Sequence, residues 1–325
     1  MKRDINIQII RILAMLSIVI CHIFQETNNK YLVMSAQFFN IGVYIFLIIS
    51  GYLYSEKNIE VKSFYKKRFL KIILPMYIFM IPIFIMQIIN MKFEIKYFII
   101  YLFNLQGILG GIEGARHLWF LTAIAFCYFM LPILQIIKNK DNKRIRDSFN
   151  IILGIITIGI CYINRTIGMQ MICLFAFSIG YFYVKRLYLK ENIALLKIIG
   201  IFFIDIIIRV LMKIWMDGTV IYDLVIVGCT QIIASVSIIL FVKKINKKSD
   251  AGKILTIFDK YSFYIYITHY FFIKGPCSVM KITNSFIINI LIMVVLSMIY
   301  AMVLYYCTNK IIRLRNKLGR NKYEN

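Results

Sequence analysis

The chain has 325 residues, 61% of them hydrophobic, and a mean hydropathy of +0.77. Soluble domains carry about 45–50% apolar residues, so this composition excludes a soluble globular domain, a disordered chain and a disulfide-built secreted module. It also carries 39 Lys and Arg against 15 Asp and Glu, a net charge of +24, which points to a membrane-embedded chain with basic loops.

A membrane-crossing helix needs about 20 consecutive, mostly apolar residues. In chain order the predicted spans are residues 5–24, 36–54, 72–90, 117–137, 149–163, 169–184, 193–214, 220–242, 254–273 and 286–307. The fifth and sixth are short and leave room to extend or tilt. Residues 95–109 form an eleventh apolar patch, too short to span, and read as a re-entrant or interfacial helix whose ends protein must bury. The first run is long enough to cross and lacks a small-residue cleavage site, so it reads as a retained helix rather than a signal peptide. Six of the seven cysteines lie in apolar runs and no CxxC pair occurs, which argues against a disulfide framework and against a zinc or redox motif. The expected fold class is all-α, a polytopic membrane helix bundle of about ten helices. Residues 1–307 form one transmembrane domain and 308–325 a basic cytoplasmic tail.

The basic residues give the expected orientation. With the N-terminus cytoplasmic, the inside segments (1–4, 55–71, 138–148, 185–192, 243–253 and 308–325) hold 27 of the 39 Lys and Arg, and the outside segments hold seven. Such a bias in short loops is the positive-inside pattern, and it places both termini in the cytoplasm. The basic loops then serve topology and attraction to anionic lipid, and no nucleic-acid-binding motif accompanies them.

Ionisable residues inside spans are costly, on the order of 3 kcal/mol at the bilayer centre, and usually face the bundle interior. They are Arg11, His22, Lys197, Asp205, Arg209, Lys213, Asp259, Lys260 and His269. Lys197, Lys213, Asp259 and Lys260 lie near span ends, where side chains reach the interface. Arg11 and His22 are eleven residues apart, which returns a helix to within about 20° of the same face after a rise of about 16 Å. With Asp4, Met15, Ile18 and Gln25 they form one stripe, expected to line a cavity or pore. Asp205 and Arg209 have i,i+4 spacing and are expected to form an intramembrane ion pair. The three histidines, His22, His117 and His269, fall near the external ends of their spans. Histidine is the usual general base at neutral pH, and no second-shell carboxylate pattern supports a metal site.

Several of these residues sit in motifs that resemble the acyltransferase-3 family of membrane-bound O-acyltransferases, along nearly the whole chain. The run from Arg11 through ten residues to His22 is similar to the family's Arg/Lys, ten residues, His signature. Residues 42–53, GVYIFLIISGYL, resemble its second-span motif. Residues 66–71, KKRFLK, resemble its Arg-x-x-Arg motif, with Lys71 standing where the second arginine would be and Pro75 one residue later than expected. His117-Leu-Trp119, Pro132 and the run from Tyr261 to His269 resemble later spans. The resemblance implies transfer of an acyl group, commonly acetyl, from cytoplasmic acetyl-CoA as co-substrate to a hydroxyl of an extracytoplasmic glycan or lipid-linked sugar, in a multi-pass protein of the plasma membrane. It implies His22 as the catalytic base and Arg11, Arg68 and Lys71 on the donor side. His117, Trp119, Arg209 and His269 are expected at the acceptor or cavity, and no metal is required. The alternative reading is a transporter or flippase for exopolysaccharide or a lipid-linked sugar, against which stands the lack of an inverted repeat.

Overall fold

The structure, a computed structural model, describes residues 4–190, 193–246 and 252–321, apart from the side chains of 318–321. Residues 1–3, 191–192, 247–251 and 322–325 belong to the expected inside segments and to the basic tail, and they lie outside the described residues. The described residues are helical, with no strand among them. In chain order the helices are α1 (Ile5–Gln25), α2 (Lys30–Phe39), α3 (Ile41–Ser55), α4 (Val61–Arg68), α5 (Leu74–Ile89), α6 (Ile95–Leu102), α7 (Gln106–Leu109), α8 (Trp119–Asn139), α9 (Lys143–Ile163), α10 (Arg165–Ile179), α11 (Lys185–Leu189), α12 (Leu195–Met216), α13 (Val227–Ile245), α14 (Lys253–Ile273) and α15 (Phe286–Asn321). Wider π-helical turns join α4 to α5 (Phe69–Ile73), join α10 to α11 (Gly180–Val184) and lead into α13 (Ile221–Ile226).

Helices stand at all ten predicted places. Eight helical stretches among the described residues are long and apolar enough to cross a membrane. The other two, α12 and α14, have the length, at 22 and 21 residues. Helix α12 carries Lys197, Asp205, Arg209 and Lys213, and α14 carries Lys253, Asp259 and Lys260 among several Tyr, Thr and Ser residues. The protein is thus an all-α, polytopic membrane protein. The two short predicted spans extend to Lys143–Ile163 and Arg165–Leu189. Asn142 and Asn164 start these helices, each side chain accepting two backbone N–H bonds of the first turn, which satisfies donors that a helix start leaves unpaired. Helix α15 runs past residue 307 to Asn321 without a break, so the expected tail begins as the continuation of the last helix.

The chain divides into two compact units. One comprises Met1–Cys21, Ser35–Ile59 and Thr122–Asp259; the other comprises His22–Met34, Glu60–Leu121 and Lys260–Asn325. In the first unit α3 is the centre, packed against α10, α13 and the π turn after α10. Lipid is as apolar as leucine, so helix association there depends on close packing of small residues rather than on expulsion of water. Helix α3 supplies this: a Cβ on Gly42 would collide with the Ala14 carbonyl of α1, and one on Gly51 with the Phe177 carbonyl of α10. A buried polar network, Ser178 Oγ donating to Asn150 Oδ1 at 2.8 Å and Tyr183 to Asp147 at 2.8 Å, adds to the packing of α9 on α10 and the turn after it.

In the second unit α5 packs against α15, with the Phe79 and Tyr300 rings 5.8 Å apart. The eleventh apolar patch is two short helices, α6 and α7, broken at Phe103–Leu105. Asn104 takes a positive φ of 55° there, a conformation that asparagine tolerates better than most residues. This hairpin supports the loop that follows. Tyr101 donates to the Ala115 carbonyl at 3.1 Å, and Gln106 Nε2 donates to the Leu118 carbonyl at 2.9 Å. Gly114, at φ 82°, lies so close to the Cα of Gly275 that no side chain fits between them. The loop carrying His117 is thereby fastened on two sides.

Candidate active site

His22, His117 and His269 lie in one unit, and their side chains meet. The rings of His22 and His269 stack at 5.4 Å, those of His117 and His269 meet edge to face at 5.2 Å, and His22 and His117 are 6.4 Å apart. Tyr270 fills the remaining side, 4.7 Å from His22 and 4.8 Å from His117.

Each ring is held by a different local device. His22 sits in the last turn of α1, half-buried, with Nδ1 3.1 Å from Oε1 of Gln25 one turn on. An amide oxygen only accepts, so this bond forms when Nδ1 carries the proton and the lone pair is on Nε2. His269 is fully buried, and its Nδ1 lies 3.1 Å from the Ile265 carbonyl of the preceding turn of α14. His117, in the short turn Arg116–Leu118, directs Nε2 to the Ile267 carbonyl at 3.0 Å, and Tyr266 donates to the His117 carbonyl at 2.6 Å. Carbonyls also only accept, so His269 is fixed with its lone pair on Nε2 and His117 with its lone pair on Nδ1. Those two atoms are buried without a hydrogen-bond partner among the described residues. An unpaired buried acceptor costs about 1–3 kcal/mol, a cost that packing alone does not explain. The rings meet faces and edges, and among the described residues no group of three or more His, Cys, Asp or Glu is placed to hold a metal ion.

At the end of α1, Glu26 pairs with Lys274 at 2.8 Å. The bond to the Glu26 carboxylate holds the Lys274 ammonium above its usual range.

The residues expected on the donor side divide between the units. Arg11 lies in the first, its Nε 3.2 Å from Asp259 Oδ1, with the aspartate side chain fully buried and the arginine one-third exposed. Asp259 is thus not a side chain reaching the interface, as its place near a span end suggests. It turns inward to meet the Arg11 guanidinium. Arg68 and Lys71 lie in the second unit. Arg68 ends α4 with its guanidinium over the Phe64 ring at 5.7 Å, and exposed Lys71 lies in the π turn that follows. Turns of this kind are frequent at functional sites.

Two further residues expected at the acceptor or cavity, Arg209 and Trp119, have surroundings of their own. Arg209 belongs to the first unit and the histidines to the second. Its Nη2 donates to the Gln37 carbonyl at 2.9 Å and its guanidinium covers the Phe38 ring at 4.7 Å. Asp205 is not its partner in any ion pair among the described residues, because the carbonyl and the ring draw the guanidinium away from its own helix face. Arg209, Asp205, Ser17, Thr230 and Gln231 instead line a cavity of about 420 Å³. Trp119, two residues after His117, is half-buried and meets Phe120 at 6.4 Å; it is not one of the rings around His22. The sequence reading missed Tyr270 and Asp259 as site residues. Tyr270 carries no signal beyond adjacency to His269, whereas Asp259 was visible as a carboxylate in a span with no partner on its own helix.

The family comparison agrees with the motifs: a family model described as an acyltransferase domain matches residues 4–306. Comparison with curated proteins gives no match, and comparison with solved structures gives none. The matched range contains Arg11, His22, the Arg68–Lys71 turn, His117 and His269. Nearly the whole chain, with the histidine cluster inside it, therefore belongs to the acyltransferase-3 family of membrane acyltransferases.

Proposed function

We propose that this acyltransferase moves an acyl group, acetyl as the first candidate, from cytoplasmic acyl-CoA to a hydroxyl of an extracytoplasmic glycan or lipid-linked sugar, with His22 as the base. The observation that carries the reading is the orientation of the His22 ring. Its bond to Gln25 leaves Nε2 as the lone-pair nitrogen, and His269, His117 and Tyr270 surround it. Such a nitrogen takes the proton of an acceptor hydroxyl as that oxygen attacks the thioester carbonyl; the carbon–sulfur bond breaks and the thiolate receives the proton. Eleven residues of α1 separate Arg11 from His22, a rise of about 16 Å, in keeping with a long thin pantetheine arm; Arg11 in the first unit, and Arg68 with Lys71 in the second, are each assigned to the donor. His117 and His269 contribute the acceptor side through their unpaired nitrogens.

The same reading takes residues 1–307 as one domain with ten spans, both termini cytoplasmic, residues 308–325 as a basic cytoplasmic tail, and the plasma membrane as the site of action. The test is CoA-thiol release from membranes supplied with acetyl-CoA, together with mass spectrometry of surface glycans. The wild type should release CoA and add an acyl mass, and His22→Ala should do neither while inserting normally. Purified His22→Ala transferring at the wild-type rate would remove His22 as the base.

A further inference from the structure

In the first unit a groove of about 570 Å³ runs between α10, α12 and α13. Its walls are apolar, among them Ile198, Ile201, Ile232 and Val236, and the charged side chains that line it are Lys190 and Lys197. Along α13 the lining runs from Cys229 to Leu240, eleven residues or about 16 Å of helix. That is about half of a hydrocarbon core about 30 Å thick, the depth of one leaflet. Helices α12 and α13 are joined by a short connection and pack on each other, so they run antiparallel. The start of α12, with Lys197, therefore lies beside the end of α13. Both lysines belong to the Leu240 end of the groove and are exposed. Lys243 and Lys244 follow on α13 itself.

We propose that this groove is a binding site for one anionic glycerophospholipid, with an acyl chain along the apolar wall and the phosphate between Lys190 and Lys197. A cavity one leaflet deep with cations at a single end matches the amphipathic shape of a lipid with its headgroup at the membrane surface. Basic pockets between membrane helices hold anionic headgroups in this way. A water-soluble anion has no use for the apolar wall, and a neutral lipid has none for the lysines. The site uses neither the histidine cluster nor Arg11, and it stands whether or not the acyl donor is CoA.

The test is native mass spectrometry of the purified full-length protein after exposure to an equal mixture of phosphatidylglycerol and phosphatidylcholine. The wild type should retain one phosphatidylglycerol in preference. The Lys190→Gln/Lys197→Gln variant should lower that retention by about thirtyfold, the combined effect of two lysines near a membrane surface. Val236→Trp, which fills the wall, should lower retention of both lipids. Lys92→Gln/Lys96→Gln, which removes two lysines elsewhere, should change nothing. Equal retention of the two lipids by the wild type, or an undiminished preference in Lys190→Gln/Lys197→Gln, would overturn the proposal. So would an equal loss in Lys92→Gln/Lys96→Gln, which would mean diffuse charge rather than a site.

Discussion

Asp259 and Arg11 show how much a single contact decides. A carboxylate fully removed from solvent is costly unless a charge or hydrogen bonds compensate it, and Arg11 supplies that charge through Nε at 3.2 Å. The bond leaves the Nη nitrogens of Arg11 available as a fork for a phosphate oxygen. Arg11→Ala should raise the KM for acetyl-CoA by about tenfold or more, the value of a charged hydrogen bond, with a smaller effect on the acceptor. Asp259→Asn should raise the same KM while largely sparing kcat, because it disturbs the guanidinium without removing it. An unchanged donor KM in Arg11→Ala would end the donor-side assignment. His269 permits an equally sharp substitution. His269→Asn can keep the bond to the Ile265 carbonyl while deleting the unpaired Nε2. Transfer should fall by at least about tenfold if that nitrogen meets the acceptor, with helical content by circular dichroism unchanged. Undiminished transfer would make His269 a packing residue only.

At the scale of elements, the helices themselves follow from composition, and their association from small residues. Helix α3 approaches α1 closely because Gly42 has no side chain to strike the Ala14 carbonyl. Gly42→Val should destabilise the protein by about 1–3 kcal/mol, the usual cost of overpacking. The loss would be read as a lower melting temperature in detergent, against a near-neutral Gly159→Val, where a Cβ meets open space. The π turn at Phe69–Ile73 lies at the Arg68–Lys71 motif. The motif was legible in the sequence, but its unwinding was not, since nothing in the local propensity of Phe-Leu-Lys-Ile-Ile separates a π turn from an ordinary helix. The i,i+4 spacing of Asp205 and Arg209 was legible too, yet the ion pair it suggests does not form. Spacing fixes which residues share a helix face, while the neighbouring Gln37 carbonyl and Phe38 ring decide where the guanidinium turns.

For the whole molecule, the basic loops predict the orientation, and Cys277 can report on it. This cysteine is exposed and lies in the segment 274–285, after α14, that the charge pattern puts outside. A membrane-impermeant maleimide applied to intact cells should label Cys277 and leave a Cys277→Ser variant unlabelled. Labelling only after the membrane is opened would reverse the orientation or change the parity of spans before this loop, α12 and α14 being the two predicted spans outside the eight strongly apolar stretches.

The sequence by itself determined that the chain crosses a membrane many times as helices, where those helices lie, and that Arg11 and His22 share one face of the first. Hydrocarbon leaves unsatisfied backbone no partner but its own helix, so a run of apolar residues dictates both the element and its length. Only the tertiary structure decided that His117 bonds to a carbonyl 150 residues away, that His269 and Tyr270 close around His22, that Asp259 holds Arg11, and that Arg209 lines a cavity with Asp205 and Gln231. Those contacts depend on how each helix is rotated about its axis. In lipid that rotation is set by the fit of small residues and a few polar bonds against neighbours far along the chain, which no local pattern of the sequence records.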